Sequence, residues 1–130
     1  MKRTILLIED NEQNRYLTTF LLEQHGYRVV AVADGQMGIE TAENLLPALI
    51  LLDIQLPTMD GYAVARALRD MPSLSGIPII AVTSYAMAGD REKCLAAGCN
   101  HYIEKPINPE TFVAEIGTFL EPPPANQGIP

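Results

Sequence analysis

The sequence predicts an α/β fold, a doubly wound five-stranded parallel sheet with helices on both faces. Three observations lead there. Short apolar runs recur along the chain, helical patterns of about ten to fifteen residues separate them, and Gly, Pro, Asn and Asp stand at the joins. At 130 residues the chain has the length of one domain, able to bury about two thirds of its unfolded surface without disulfides or metals. The expected division is a domain over residues 1–120 and a Pro-rich tail over residues 121–130.

The elements follow in order. Thr4 to Ile8 is an apolar run ending on Glu9-Asp10, and Asp10 or Asn11 can cap the next helix, expected over Glu12 to Gln24 with Leu17, Phe20 and Leu21 on one face. Gly26 stops that helix, and Arg28 to Val32 is the second strand. Asp34-Gly35 turns into a helix carrying Ile39, Ala42 and Leu46, closed by Pro47. Ala48 to Asp53 is so apolar and so short that it reads as a strand buried on both faces, the centre of the sheet, and it breaks at Pro57 and Gly61. Tyr62 to Asp70 is a helix with Val64, Ala65 and Leu68 inward, and 72–78 is its linker. Ile79 to Ser84 is the fourth strand, ending in hydroxyls. A helix over Asp90 to Ala97 closes on Gly98, and Asn100 to Glu104 is a fifth strand running into Lys105-Pro106. Asn108-Pro109-Glu110 is a strong helix start, leading to Phe112, Val113, Ile116, Phe119 and Leu120. The remaining ten residues hold too much proline to pack and read as an extended or disordered tail, either a linker or a terminus.

Composition narrows the function. A net charge of −7 argues against a nucleic-acid-binding surface, which needs clustered Lys and Arg, and in favour of protein partners. The apolar run after Lys2-Arg3 is too short for a signal peptide or a membrane span, so a cytoplasmic location is expected. Cys94 and Cys99 form no Cys-x-x-Cys pair and have no plausible His ligand nearby, which suits reduced, partly buried thiols.

Open α/β sheets place their ligands at the carboxyl edge of the strands. One Asp there reads most simply as a helix cap, but here the strand ends offer Glu9-Asp10, Asp53, Thr83 and Lys105 to one crevice if the strands run in the order 2-1-3-4-5. Three carboxylates against one ammonium leave about two negative charges in excess, and crowded carboxylates raise one another's pKa unless a cation intervenes. With oxygen donors and neither His nor Cys, magnesium matches best and zinc poorly. A carboxylate nucleophile, a fixed lysine and a hydroxyl together suit phosphoryl transfer onto Asp53, with Thr83 and Lys105 stabilising the transferred group.

These residues carry a resemblance. Glu9-Asp10, Asp53 within Leu-Asp-Ile-Gln-Leu-Pro-Thr-Met-Asp-Gly, Thr83, and Lys105-Pro106 each end a strand, and the chain resembles a response regulator receiver domain of two-component signalling from residue 4 to about 120. The resemblance implies a flavodoxin-like (βα)5 fold, and the strand order above is partly its implication. It further implies that Asp53 accepts a phosphoryl group from a histidine kinase or histidine phosphotransfer protein. Magnesium would lie on Asp10, Asp53 and the Gln55 carbonyl, with Glu9 acting directly or through water. Thr83 and Tyr102 would be a switch pair, Lys105 would precede a cis Pro106, and the fourth and fifth helices with the fifth strand would dock a downstream protein target, phosphorylation-dependent dimerisation being left open. Glu9 stands where Asp is also frequent, and its longer side chain must bend to reach a metal. Gln55 and Tyr85 occupy the positions that influence loss of the phosphate; the Tyr85 ring is expected to restrict attacking water.

Three rivals stand beside this reading. A phosphatase of the haloacid-dehalogenase type needs a second Asp two residues after the nucleophile, where this chain has Gln55. A flavodoxin-like nucleotide binder lacks its glycine-rich loop after the first strand. A phosphorylation-independent receiver-like interaction module is separated from a phosphoacceptor by metal-dependent phosphorylation, and the complete set Asp10, Asp53, Thr83 and Lys105 favours the phosphoacceptor. The expectation is therefore a signalling protein and not an enzyme acting on a separate substrate.

Overall fold

The computed structural model describes residues 2–56, 59–84 and 89–120. Strands β1 (Thr4–Ile8), β2 (Arg28–Val32), β3 (Leu49–Asp53), β4 (Ile79–Thr83) and β5 (His101–Glu104) form one parallel sheet in the order β2-β1-β3-β4-β5. Helices α1 (Glu12–Gln24), α2 (Gly35–Leu45), α3 (Gly61–Arg69), α4 (Asp90–Ala96) and α5 (Pro109–Leu120) alternate with them, and a 3₁₀ turn, Pro72–Leu74, lies in the 72–78 linker. The doubly wound architecture and the strand order match the sequence reading. The tail expected over 121–130 lies outside the described residues.

Period-2 alternation divides the sheet's side chains between two cores. Leu6, Ile8, Ile50, Leu52 and Ala81 point to one face and pack with Ala42 of α2, Val64, Ala65 and Leu68 of α3, and Cys94 of α4. Ile5, Leu7, Leu49, Leu51, Ile80, Val82 and Ile103 point to the other, against Leu22 of α1 and Phe112, Ile116 and Leu120 of α5. All five residues of β3 are buried, as a central strand covered on both faces requires. Gly26 and Gly98, at φ 91° and 108°, take the left-handed conformation beyond α1 and α4 that their positions call for.

Two sets of apolar residues read from the sequence as helical lie partly off the core. In α1 the buried residues are Thr18 and Leu22, while Leu17 and Phe20 are 54% and 51% exposed. The inward stripe is centred on the i, i+4 pair 18/22, with Leu21 half-buried at its margin; Leu17 and Phe20 fall on the flank, where Phe20 stacks on Tyr16. Leu46 likewise is no core residue of α2. It leaves the helix at φ 50°, is exposed, and precedes Pro47, which disfavours a helical residue before it.

Candidate functional site

The carboxyl edge of the sheet gathers the polar strand ends. Glu9 follows β1, its N–H donating to the Val32 carbonyl of β2 at 3.0 Å, so the chain leaves the sheet one residue late and the Glu9 side chain stays buried. Asp10 is exposed, and Asn11 caps α1 by accepting the Asn14 N–H at 2.8 Å. Asp53 is the last residue of β3 and Thr83 of β4, both buried. Lys105 follows β5, donates its N–H to the Thr83 carbonyl at 2.7 Å, and joins Pro106 through a cis peptide, as expected.

Asp53 is held on both oxygens. The Gln55 N–H donates to Oδ1 at 2.9 Å and Lys105 Nζ lies 3.5 Å from Oδ2. Burial raises its pKa above the ordinary carboxylate value; the Gln55 N–H opposes that rise, Glu9 adds to it through a hydrogen bond and its charge, and Lys105 offsets part of it. The lysine's closer partner is Glu9, whose Oε1 accepts from Nζ at 2.7 Å while Oε2 accepts the Asn11 N–H at 3.2 Å. One carboxylate oxygen from each of Glu9, Asp10 and Asp53 lies within 4.8 Å of the others. Three hard oxygen donors with a single ammonium between them fit a divalent cation of the magnesium type.

The expected switch pair shares one face of the sheet. Thr83 continues the Ile79, Ala81 register toward α2, α3 and α4, and Tyr102, in register with Ala81, packs on that same core while half-buried. Gln55 does more than its expected backbone role, because its side-chain Oε1 accepts the Ser84 N–H at 2.9 Å and ties the loop after β3 to the end of β4. Tyr85 lies outside the described residues.

Comparison with known proteins decides the family. A model of the response regulator receiver domain matches residues 5–117. The chain belongs to that family. Among relatives, this receiver is 40% identical over 120 residues to the polar-differentiation response regulator DivK of Brucella anthropi, covering 92% of this chain and 98% of that protein. The receiver domain of a Pseudomonas aeruginosa sensor histidine kinase, solved with a magnesium ion coordinated in its active-site cleft, is 38% identical, with a TM-score of 0.85 over 92% of this chain and 98% of that one. A CheY-like receiver from Methanospirillum hungatei is 32% identical with a TM-score of 0.86 over 92% and 94%.

One further receiver residue is added by the structure and was missed in the sequence. Arg15 donates from Nη1 to the backbone carbonyls of Glu9 and Asp10, at 3.0 and 3.1 Å. The signal was present: a cation close to a helix start, where the dipole favours acids, needs a local reason to be there. Cys94 and Cys99 are buried free thiols, and burial pushes the Cys99 thiol up to about 12, in keeping with an inert role. Among the described residues no helix is long and apolar enough to cross a membrane.

Proposed function

We propose that this receiver is a phosphoacceptor that takes a phosphoryl group onto Asp53 from a phosphohistidine of a histidine kinase or histidine phosphotransfer protein, in a magnesium-dependent reaction. The observation that carries the reading is the Asp53 carboxylate itself: buried, fixed on Oδ1 by Gln55, and directed by Oδ2 toward Lys105. An Asp53 oxygen attacks phosphorus in line, the bond from phosphorus to the donor nitrogen breaks, and its electron pair remains on the donor imidazole. Glu9, Asp10 and Asp53, with the Gln55 carbonyl, are the residues that would hold magnesium. Bound there, it supplies positive charge against the phosphoryl oxygens. Lys105 provides a fixed ammonium beside the nucleophile, and Thr83 a hydroxyl on the neighbouring strand end. The chain acts on itself alone, so its product is a phosphorylated signalling protein.

The phosphoryl group would draw Thr83 toward Asp53 and let the Tyr102 ring move inward, changing the face built from α4, β5 and α5. That face carries a groove of about 670 Å³ lined by Arg91, Tyr102, Glu104, Thr111, Phe112 and Glu115. A cytoplasmic site of action accords with a phosphohistidine donor.

Intact mass after incubation with magnesium and a small acyl phosphate tests this directly. One phosphoryl adduct is expected, absent from Asp53→Asn and absent when a chelator is present. A folded wild-type chain that stays unmodified by both the small donor and a phosphohistidine donor would leave the family's scaffold with a phosphorylation-independent docking role.

A further inference from the structure

We propose that Arg15 is a positioning residue for the cation site, holding the turn from which Glu9 and Asp10 project. The inference rests on the magnesium reading above. A single guanidinium nitrogen, Nη1, donates to two consecutive carbonyls, Glu9 at 3.0 Å and Asp10 at 3.1 Å, spanning the point where the chain leaves β1 for α1. Rotating either peptide plane would re-aim a carboxylate, because both carboxylates are borne by the residues whose carbonyls are clamped.

The two acids depend on that clamp to different degrees. Glu9 is also held by its own N–H on Val32, by Lys105 on Oε1 and by the Asn11 N–H on Oε2. Asp10 is exposed, yet it supplies one of the three clustered ligand oxygens. Its aim follows the backbone of the turn. The turn is anchored from α1, whose fourth residue is Arg15 and whose cap is Asn11, the Arg15 N–H donating to the Asn11 carbonyl at 2.9 Å.

Charge alone gives Arg15 no reason to be there. A guanidinium near a helix start opposes the dipole, and near a divalent-cation site it repels the ligand. Nη1 carries two N–H groups fixed in the guanidinium plane, one for each carbonyl, whereas the ammonium of a lysine rotates freely on its stem and holds no such fixed pair. Groups that orient metal ligands from behind typically change metal affinity by about 10- to 100-fold when removed.

Positioning and charge predict opposite signs, so two substitutions separate them. Calorimetric titration of the full chain with magnesium chloride is compared for wild type, Arg15→Met and Arg15→Lys, each checked for native circular dichroism. Arg15→Met is expected to weaken magnesium binding at least about 10-fold, although losing a positive charge would by itself tighten it. Arg15→Lys keeps the charge, loses the fixed coplanar pair of N–H donors, and is expected to weaken binding by a smaller factor of about 3 or more. Wild-type or tighter binding in a folded Arg15→Met chain would overturn the proposal. Should that chain not fold, Arg15→Lys decides alone: weaker binding supports the clamp, and unchanged binding refutes it. A wild-type chain that takes up no magnesium refutes the metal reading itself, and this inference falls with it before any variant is compared.

Discussion

Two cationic side chains close opposite edges of the same sheet, and they keep different company. At the amino edge Arg69, the last residue of α3, donates from Nε to the Gly98 carbonyl at 2.8 Å, from Nη1 to the Leu74 carbonyl at 2.9 Å, and from Nη2 to Asn100 Oδ1 at 2.7 Å. Asn100 Oδ1 also accepts the Ile79 N–H at 2.9 Å, so the guanidinium binds the 3₁₀ turn, the end of α4 and the start of β4 together. Its partners there are neutral dipoles. At the carboxyl edge Lys105 meets Glu9 and Asp53, both buried, with Asp10 close by. At one edge the cation finds its acceptors within the protein; the other carries acid in excess and calls for a cation. That contrast separates a structural knot from a site.

Substitutions at the two edges are expected to fail in different ways. The largest effect should be Asp53→Asn, which leaves phosphoryl uptake below detection by intact mass while the chain stays folded. Lys105→Met should lower the initial rate of uptake from an acyl phosphate by about 100-fold, the usual cost of removing one fixed charge beside a transferred group. Arg69→Met reverses the pattern: thermal or urea unfolding should show a loss of about 2–4 kcal/mol, since the part-buried Gly98 and Leu74 carbonyls lose their donor, with the uptake rate changed by less than about threefold. An Arg69→Met chain as stable as wild type but slow to phosphorylate would dissolve the distinction between the edges.

A smaller effect comes from pH. The Asp53 pKa is raised in the folded chain above the ordinary 3.8, so between that value and the folded pKa the native state holds more protons than the unfolded one. Its contribution to stability therefore falls as pH rises through that window and stays lost above it. In metal-free buffer at neutral pH, Asp53→Asn should be more stable than wild type by on the order of 1 kcal/mol. Below pH 3.8 the advantage should vanish. Unfolding curves at the two pH values check it, and a variant less stable at neutral pH would contradict the excess-charge account. The smallest expected change is at Tyr85, where Tyr85→Ala should shorten the life of the phosphorylated form a few-fold; equal or slower loss would dismiss the idea that the ring restricts water.

Much of this could be read from the chain. Strands ending in Glu9-Asp10, Asp53, Thr83 and Lys105 disclosed the sheet and the pocket together, because apolar runs end where the sheet ends and polar residues there share one edge. What stayed hidden depended on angle and distance. Leu17 and Phe20 are apolar and helical, but they lie round the helix from the 18/22 stripe and are turned to solvent, and no periodicity of a single helix fixes which edge of a broad apolar face meets the sheet. Arg69 and the Gln55 side chain act largely through backbone groups, which have no signature in sequence, and Arg15 left only the trace of a cation near a helix start. The partnership of Lys105 with Glu9 at 2.7 Å was likewise invisible, since the resemblance directs attention to Lys105 beside Asp53.

The most direct test of the central claim is where the phosphoryl group sits. The chain would be phosphorylated with an acyl phosphate and magnesium, reduced with borohydride to convert an aspartyl phosphate into homoserine, and digested for peptide fragmentation. Conversion confined to Asp53 is the result predicted by a nucleophile held between Gln55 and Lys105 in an acid-rich pocket. Conversion at Asp10, or at an acid away from the carboxyl edge, with Asp53 intact would contradict it.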